Sequence, residues 1–125
     1  MCKSLADYVF LDCTSSLDDP LSVYGMAAAD KAVQLVTPDI RSAAYYASFE
    51  KTYEQIKGKS IGVINITDKD LYLPVGEVKA GFANAKYILP YSMYLKQQYI
   101  TGELTHKIPD QKFSAVCRGI AGAVL

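Results

Sequence analysis

Side chains that commonly perform catalysis are scarce in this chain of 125 residues, which has one histidine, three cysteines and no tryptophan. A catalytic base needs a partner within hydrogen-bond reach, so any histidine dyad or triad would have to use His106, which lies in a polar connector. The spacings Cys-x-x-Cys and His-x-x-x-His are both missing, which disfavours a zinc site. We therefore expect no catalytic residue, no metal and no cofactor.

The three cysteines, Cys2, Cys13 and Cys117, are odd in number and widely spaced, which is not typical of a disulfide framework. The first apolar run, residues 8–11, is bounded by Asp7 and Asp12 and does not resemble a secretory signal. No stretch approaches the length of a transmembrane helix. We expect a cytoplasmic protein, or a virion component assembled in the cytoplasm, with no membrane partner.

An excess of charge of either sign is also missing, since 13 lysines and arginines balance 13 aspartates and glutamates. Nucleic-acid binding normally needs a basic face that neutralises phosphates, and no such run is present, so nucleic acid is expected only as enclosed cargo. Near-zero net charge removes the repulsion between copies that keeps proteins apart. The charge balance therefore favours self-association.

Two short motifs superficially suggest a ligand site. Gly58, Lys59 and Ser60 resemble the end of a phosphate loop, but the upstream glycine is missing and the triplet precedes a strand instead of opening a helix. Asp68 and Asp70 flank a lysine in a turn, where side-chain to backbone hydrogen bonds are the ordinary interpretation. Neither motif identifies a small-molecule substrate.

The first half of the chain predicts a strand and two helices. Residues 8–11 are rich in strand formers, with a short helix starting near Ser4 as the alternative. Asp19 and Pro20 are typical of a helix start. Apolar residues at helical spacing then predict that this first helix continues to near Val36; they are Leu21, Tyr24, Ala28, Ala32 and Leu35. A second start signal at residues 37–39 predicts a helix that ends before Gly58.

The second half predicts a hairpin and two more helices. Residues 61–66 indicate a buried strand, and residues 71–75 a returning strand that Pro74 places at an edge. Helical spacing from Glu77 to about Ile100 predicts a helix that Pro90 kinks or splits. A last helix opens at residues 109–110. We expect one globular domain, residues 1–125, of the α+β class: mostly helical, with about four helices and a small antiparallel sheet formed by the N-terminal strand and the central hairpin.

Tyrosine is abundant, with ten residues, and four of them fall in the segment predicted to be a kinked helix. Tyrosine combines a large apolar body with a polar tip and suits contact surfaces, although core tyrosines and an aromatic pocket for a ligand are the alternatives. The last helix carries small residues that would admit a neighbouring helix or another subunit. The candidate interface residues are Tyr87, Tyr91, Tyr94, Tyr99, Gly119 and Ala123.

These features together favour a non-enzymatic structural protein whose partners are copies of itself. Self-assembly into a homo-oligomer, a filament or a shell-like or virion-like particle, as by a capsid protein, is the leading interpretation. A small adaptor or ligand-binding domain with a tyrosine-rich surface is the alternative, and a small enzyme is the third.

Overall fold

The computed structural model describes residues 5–14, 16–70, 73–82, 84–102 and 109–125, and the chain divides into two compact units, residues 1–30 and 31–125. In the described residues there are six α-helices rather than about four. The helices are α1 (Pro20–Ala28), α2 (Ile40–Ser48), α3 (Glu50–Ile56), α4 (Val75–Gly81), α5 (Met93–Thr101) and α6 (Gln111–Val124). The strands are β1 (Ala32–Val36), β2 (Ser60–Asn65) and β3 (Ala85–Leu89). The expectation of one domain stays a prediction.

The first unit contains α1, and its start is where the sequence predicts it. Pro20 takes the first helical position, and the Asp19 carboxylate accepts hydrogen bonds from the backbone N–H groups of Leu21 and Ser22. The predicted end near Val36 is wrong, because α1 ends at Ala28. Residues 8–14 form neither the predicted strand nor the alternative helix.

The second unit is built on a parallel sheet, so the predicted antiparallel sheet is wrong. In the described residues the sheet has three strands in the order β1-β2-β3, and both pairings are parallel. Parallel neighbours need a crossover connection, and helices between the strands supply it: α2 and α3 between β1 and β2, and α4 between β2 and β3. The buried strand predicted at residues 61–66 is confirmed as β2, which is buried along almost its whole length.

The region from Glu77 to Ile100 is not one kinked helix. It contains the end of α4, all of β3 and most of α5, and Pro90 lies between β3 and α5. The apolar residues of a strand buried on both faces have no period that separates them from a helix. Gly102 ends α5 as expected, with a left-handed φ of 70°. The predicted returning strand at residues 71–75 is also wrong where the structure describes it, since α4 begins at Val75.

Two neighbouring rows of side chains define the two faces of the sheet. Val36, Ile64 and Ile88 are paired across the three strands, and α2 and α4 pack on this row through Tyr46, Val78 and Phe82. The Tyr46 and Phe82 rings meet edge to face at 4.5 Å. The next row, Leu35, Val63 and Tyr87, points to the opposite face, where α6 packs on β3.

Two further helices, α2 and α6, begin at the residues the sequence indicates. Asp39 caps α2 by accepting from the Ser42 N–H at 2.9 Å, and Asp110 caps α6 by accepting from the Phe113 N–H at 3.0 Å. None of the helices in the described ranges is long and apolar enough to cross a membrane.

Candidate interaction surface

Tyr87 and Gly119 contact each other inside the second unit. The Tyr87 hydroxyl donates a hydrogen bond to the Gly119 carbonyl oxygen at 3.0 Å. A Cβ atom at position 119 would lie 3.1 Å from Tyr87 Cε1, so the glycine allows α6 to approach β3 closely. At Gly119, the Tyr87 side chain of β3 therefore fills the space that a small residue of the last helix leaves, and it belongs to the same unit. An additional role for these two residues between subunits stays a prediction.

The other tyrosines lie in different local structures. Tyr91 is half-buried in the connection between β3 and α5, whereas Tyr94 and Tyr99 are exposed on α5. Tyr99 has 94% of its surface exposed, and Met93 and Ile100, which also lie on α5, are exposed as well. Ala123 is half-buried on α6. The candidate interface residues that remain open to a partner are thus concentrated on α5.

A second exposed apolar surface, which the sequence analysis missed, lies along β1. We call it the β1 edge and define it as residues 31–36. Leu35 is 64% exposed, whereas Val63, its partner on β2, is fully buried. Val33, on the same face as Leu35, is 42% exposed. Within the part of the chain that the structure describes, β1 pairs with β2 alone, so the outer edge of β1 has no neighbouring strand.

A third apolar surface belongs to the first unit. The N-terminal segment, defined as residues 5–14, is attached to α1 at its end: the Thr14 N–H donates to the Oγ of the buried Ser22 at 3.0 Å. Gly25 of α1 leaves room for Cys13, whose Sγ would lie 2.9 Å from a Cβ there. The large apolar side chains before Cys13 are nevertheless exposed, and they are Leu5, Tyr8, Val9, Phe10 and Leu11.

A small cavity in the second unit has the character of a ligand pocket. Its volume is about 260 Å³, and it lies between α2 and α4. The lining is mostly apolar, with the carboxylates of Glu50 and Glu77 as its charged groups. The lining residues are Val36, Ala43, Tyr46, Ala47, Glu50, Leu73, Glu77, Val78, Gly81 and Phe82.

Perturbed carboxylates in this protein serve helix caps. A hydrogen bond from the Thr37 hydroxyl, followed by one from the Ser42 N–H, lowers the pKa of Asp39. The Ser22 hydroxyl, which donates at 2.7 Å, lowers the pKa of Asp19. The Phe113 N–H does the same for Asp110. Each shift has a structural cause at a helix start, so none of them indicates a catalytic acid or base.

The other candidate chemical groups are unremarkable where they can be located. Among the described residues no group of histidine, cysteine, aspartate or glutamate could hold a metal ion. Cys13 is exposed, and burial raises the pKa of the Cys117 thiol, which disfavours the reactive thiolate. Asp68 accepts a local hydrogen bond from the Asp70 N–H at 3.2 Å, as expected in a turn. His106 lies outside the described residues.

Comparisons of this chain with protein-family models, with curated proteins and with solved structures give no match. The fold and these exposed surfaces therefore carry the functional argument.

Proposed function

We propose that this protein is a non-enzymatic structural subunit that assembles with copies of itself into a homo-oligomer, a filament or a shell-like particle. One observation carries the proposal. In the described residues, sixteen large apolar side chains are exposed, whereas the buried hydrophobic core has eight members. A monomer of this size ordinarily leaves single apolar side chains exposed, and groups of them mark contact sites.

The exposed side chains are grouped along the chain. Five lie in the N-terminal segment, two on the β1 edge and four on α5. Burying a large apolar side chain in a contact contributes about 1.5–3 kcal/mol relative to leaving it in water. A few such contacts repeated in every subunit are enough to drive assembly, and a formal net charge of zero leaves little repulsion to oppose it.

We propose in addition that assembly takes place in the cytoplasm, including the case of a virion assembled there. The odd number and wide spacing of the three cysteines support a reducing compartment. The expected partners are copies of the same chain. The balanced charge supports a role for nucleic acid only as enclosed cargo.

The cavity between α2 and α4 favours a second candidate, a small ligand-binding or adaptor domain. Its apolar lining with two carboxylates has the character of a site for a small apolar molecule. The volume of about 260 Å³ is slightly below the usual range for such sites, which begins at about 300 Å³. This candidate therefore ranks second.

Sedimentation velocity and light scattering over a wide range of concentration separate the two candidates. Self-assembly predicts a mass that grows with concentration, toward a defined multiple of 13.7 kDa for a closed oligomer or shell and without limit for a filament. A ligand-binding domain predicts a constant mass together with binding of a neutral apolar dye such as Nile red. Ala47→Trp should fill the cavity and abolish that binding, with the exposed Ala28→Trp on α1 as the matched control. A constant monomer mass at every concentration would contradict the proposed function.

A further inference from the structure

We propose that the N-terminal segment of one copy adds as an antiparallel strand to the β1 edge of a second copy. This inference rests on the proposed function, since it names the contact through which copies assemble. Three observations support it: an unprotected sheet edge, an unpaired segment of strand-forming residues, and a register in which the two are complementary.

The β1 edge has none of the features that protect natural edge strands. Within the strand itself, residues 32–36, there is no charge and no proline, and the pairing with β2 has no irregular register. In the described residues β1 has a neighbouring strand on one side, so alternate backbone N–H and C=O groups face outward. Parallel sheets are normally covered on both faces, yet Leu35 is mostly exposed.

The N-terminal segment has the composition of a β-strand, although it forms no strand in the structure. Tyr8, Val9 and Phe10 are among the strongest strand formers, and Phe10 is 79% exposed. Residues 8–14 are assigned to neither helix nor strand. A segment of this kind is the usual partner in strand addition, where the backbone supplies hydrogen bonds and alternate side chains supply specificity.

One antiparallel register makes the two sequences complementary. It places Tyr8 opposite Leu35 and Phe10 opposite Val33, so that both aromatic rings cover the exposed aliphatic side chains of the β1 edge. The same register places Asp12 opposite Lys31, and both of these residues are exposed. Aromatic-aliphatic pairs and opposite charges are the favourable cross-strand pairs.

Two parallel registers also cover Val33 and Leu35, and both are less complementary. Placing Tyr8 opposite Val33 and Phe10 opposite Leu35 in parallel brings Ala6 opposite Lys31, so the lysine loses its acidic partner. The parallel register that pairs Asp7 with Lys31 keeps the charge pair but places Val9 and Leu11, instead of the aromatic rings, opposite Val33 and Leu35. The antiparallel register is the one that combines aromatic-aliphatic pairs with the charge pair. The occupant is a second copy of this chain, because every copy carries both the segment and the edge, and residues 8–14 form no strand on the sheet of their own chain.

Charge reversal tests the register. Asp12→Lys should lower assembly, measured by sedimentation velocity, because it brings two lysines together, and Lys31→Asp should do the same with two aspartates. The double variant should recover most of the loss. Asp7→Lys is the matched control: in this register residue 7 lies opposite Val36, so adding Lys31→Asp should not rescue it. Assembly that persists unchanged in Asp12→Lys overturns the inference and leaves the proposed function standing.

Disulfide trapping tests whether the contact joins two chains. In a background of Cys2→Ser, Cys13→Ser and Cys117→Ala, one protein carries Leu11→Cys and a differently tagged protein carries Ala32→Cys. Mild oxidation of the mixture should give the mixed dimer in clear excess over a control in which Leu21→Cys replaces Leu11→Cys. A mixed dimer no more abundant than the control overturns the inference. When one chain carries both changes, an intrachain disulfide that forms in dilute monomer also overturns the inference. Wild-type protein that stays monomeric overturns the proposed function as well.

Discussion

The two edge strands of the sheet differ in whether a helix covers them. At β3, Tyr87 reaches across to α6 and donates to the Gly119 carbonyl, so a helix of the same unit covers the strand. At β1, the equivalent side chain in the same row, Leu35, is exposed. The two strands are equal in length and both flank the buried β2. The difference shows that a helix of the same unit covers this face of the sheet at β3 and leaves it open at β1, and it is the reason for assigning the β1 edge to a second copy.

The largest expected effect comes from separating β3 from the rest of the sheet. A Cβ atom at Gly62 would lie 2.6 Å from the backbone C and O of Asn84, which cannot move without breaking the pairing of β2 with β3. Gly62→Ala should therefore lower the free energy of unfolding by about 3 kcal/mol, at the upper end of overpacking effects. Urea denaturation measures it. Gly58→Ala, whose added Cβ has no neighbour within 4 Å, is the control, and equal stability of the two variants would contradict this account of the pairing of β2 with β3.

A smaller effect is expected at the contact between β3 and α6. Replacing an exposed glycine in a helix interior by alanine stabilises the helix by about 1 kcal/mol, and Gly122 has open space for a Cβ. Gly119→Ala gains the same helix propensity but presses on the Tyr87 ring. We expect Gly122→Ala to be more stable than Gly119→Ala by about 1 kcal/mol in urea denaturation, with assembly unchanged in both. If the two variants are equally stable, the Tyr87 ring does not limit the approach of α6.

The smallest effect is expected on the pH dependence of stability when a capping aspartate is replaced. The effect should have the same sign for the cap of α2 and for the cap of α6. The pKa of Asp39, which follows β1, and that of Asp110, which opens α6, are lowered below 3.8 by hydrogen bonds to the carboxylates. A lowered folded-state pKa gives stability above the unfolded value that is lost as pH falls through the folded one. Asp39→Asn and Asp110→Asn should therefore each flatten the acid loss of thermal stability.

Melting temperatures from neutral pH down to below 3.8 measure this effect. Asparagine keeps the cap without the charge, whereas Asp39→Ala should lose the cap at every pH. An acid loss as steep in the two asparagine variants as in the wild type would show that other groups control the acid transition.

Local signals in this sequence are reliable because the interactions behind them are local. The helix starts at Asp19, Asp39 and Asp110 depend on a carboxylate and amides three residues away, and the structure has all three caps. The stop at Gly102 depends on the φ of one residue. These features can be predicted without knowledge of the tertiary structure.

The sheet could not be predicted in the same way. Leu35 lies at helical spacing from Ala28, so β1 extends the apolar pattern of α1 although the backbone changes at Ala29. β3 continues the pattern of α4 for a similar reason. Parallel pairing depends on contacts between residues far apart in sequence, such as Val36 with Ile64, which apolar periodicity does not encode.

The sequence predicts the type of site, a contact surface with exposed tyrosines, and only part of its location. Tyrosine abundance indicates contact surfaces, and Tyr94 and Tyr99 are exposed on α5. Whether a tyrosine points inward depends on the strand that carries it, so the contact of Tyr87 with α6 could not be inferred. Val33 was not singled out, because exposure on an edge strand is apparent only once the order of the strands is known.

Amide hydrogen exchange, followed as the protein concentration rises, tests most directly the claim that α6 covers β3 within the chain whereas a second copy covers β1. Protection of residues 85–89 should be the same in dilute monomer and in the assembled state, because α6 covers β3 in both. Protection of residues 32–36 and 8–11 should rise together as assembly proceeds, because the outward amides of β1 acquire acceptors. Assembly without added protection at residues 32–36, or full protection of them already in dilute monomer, would contradict this account.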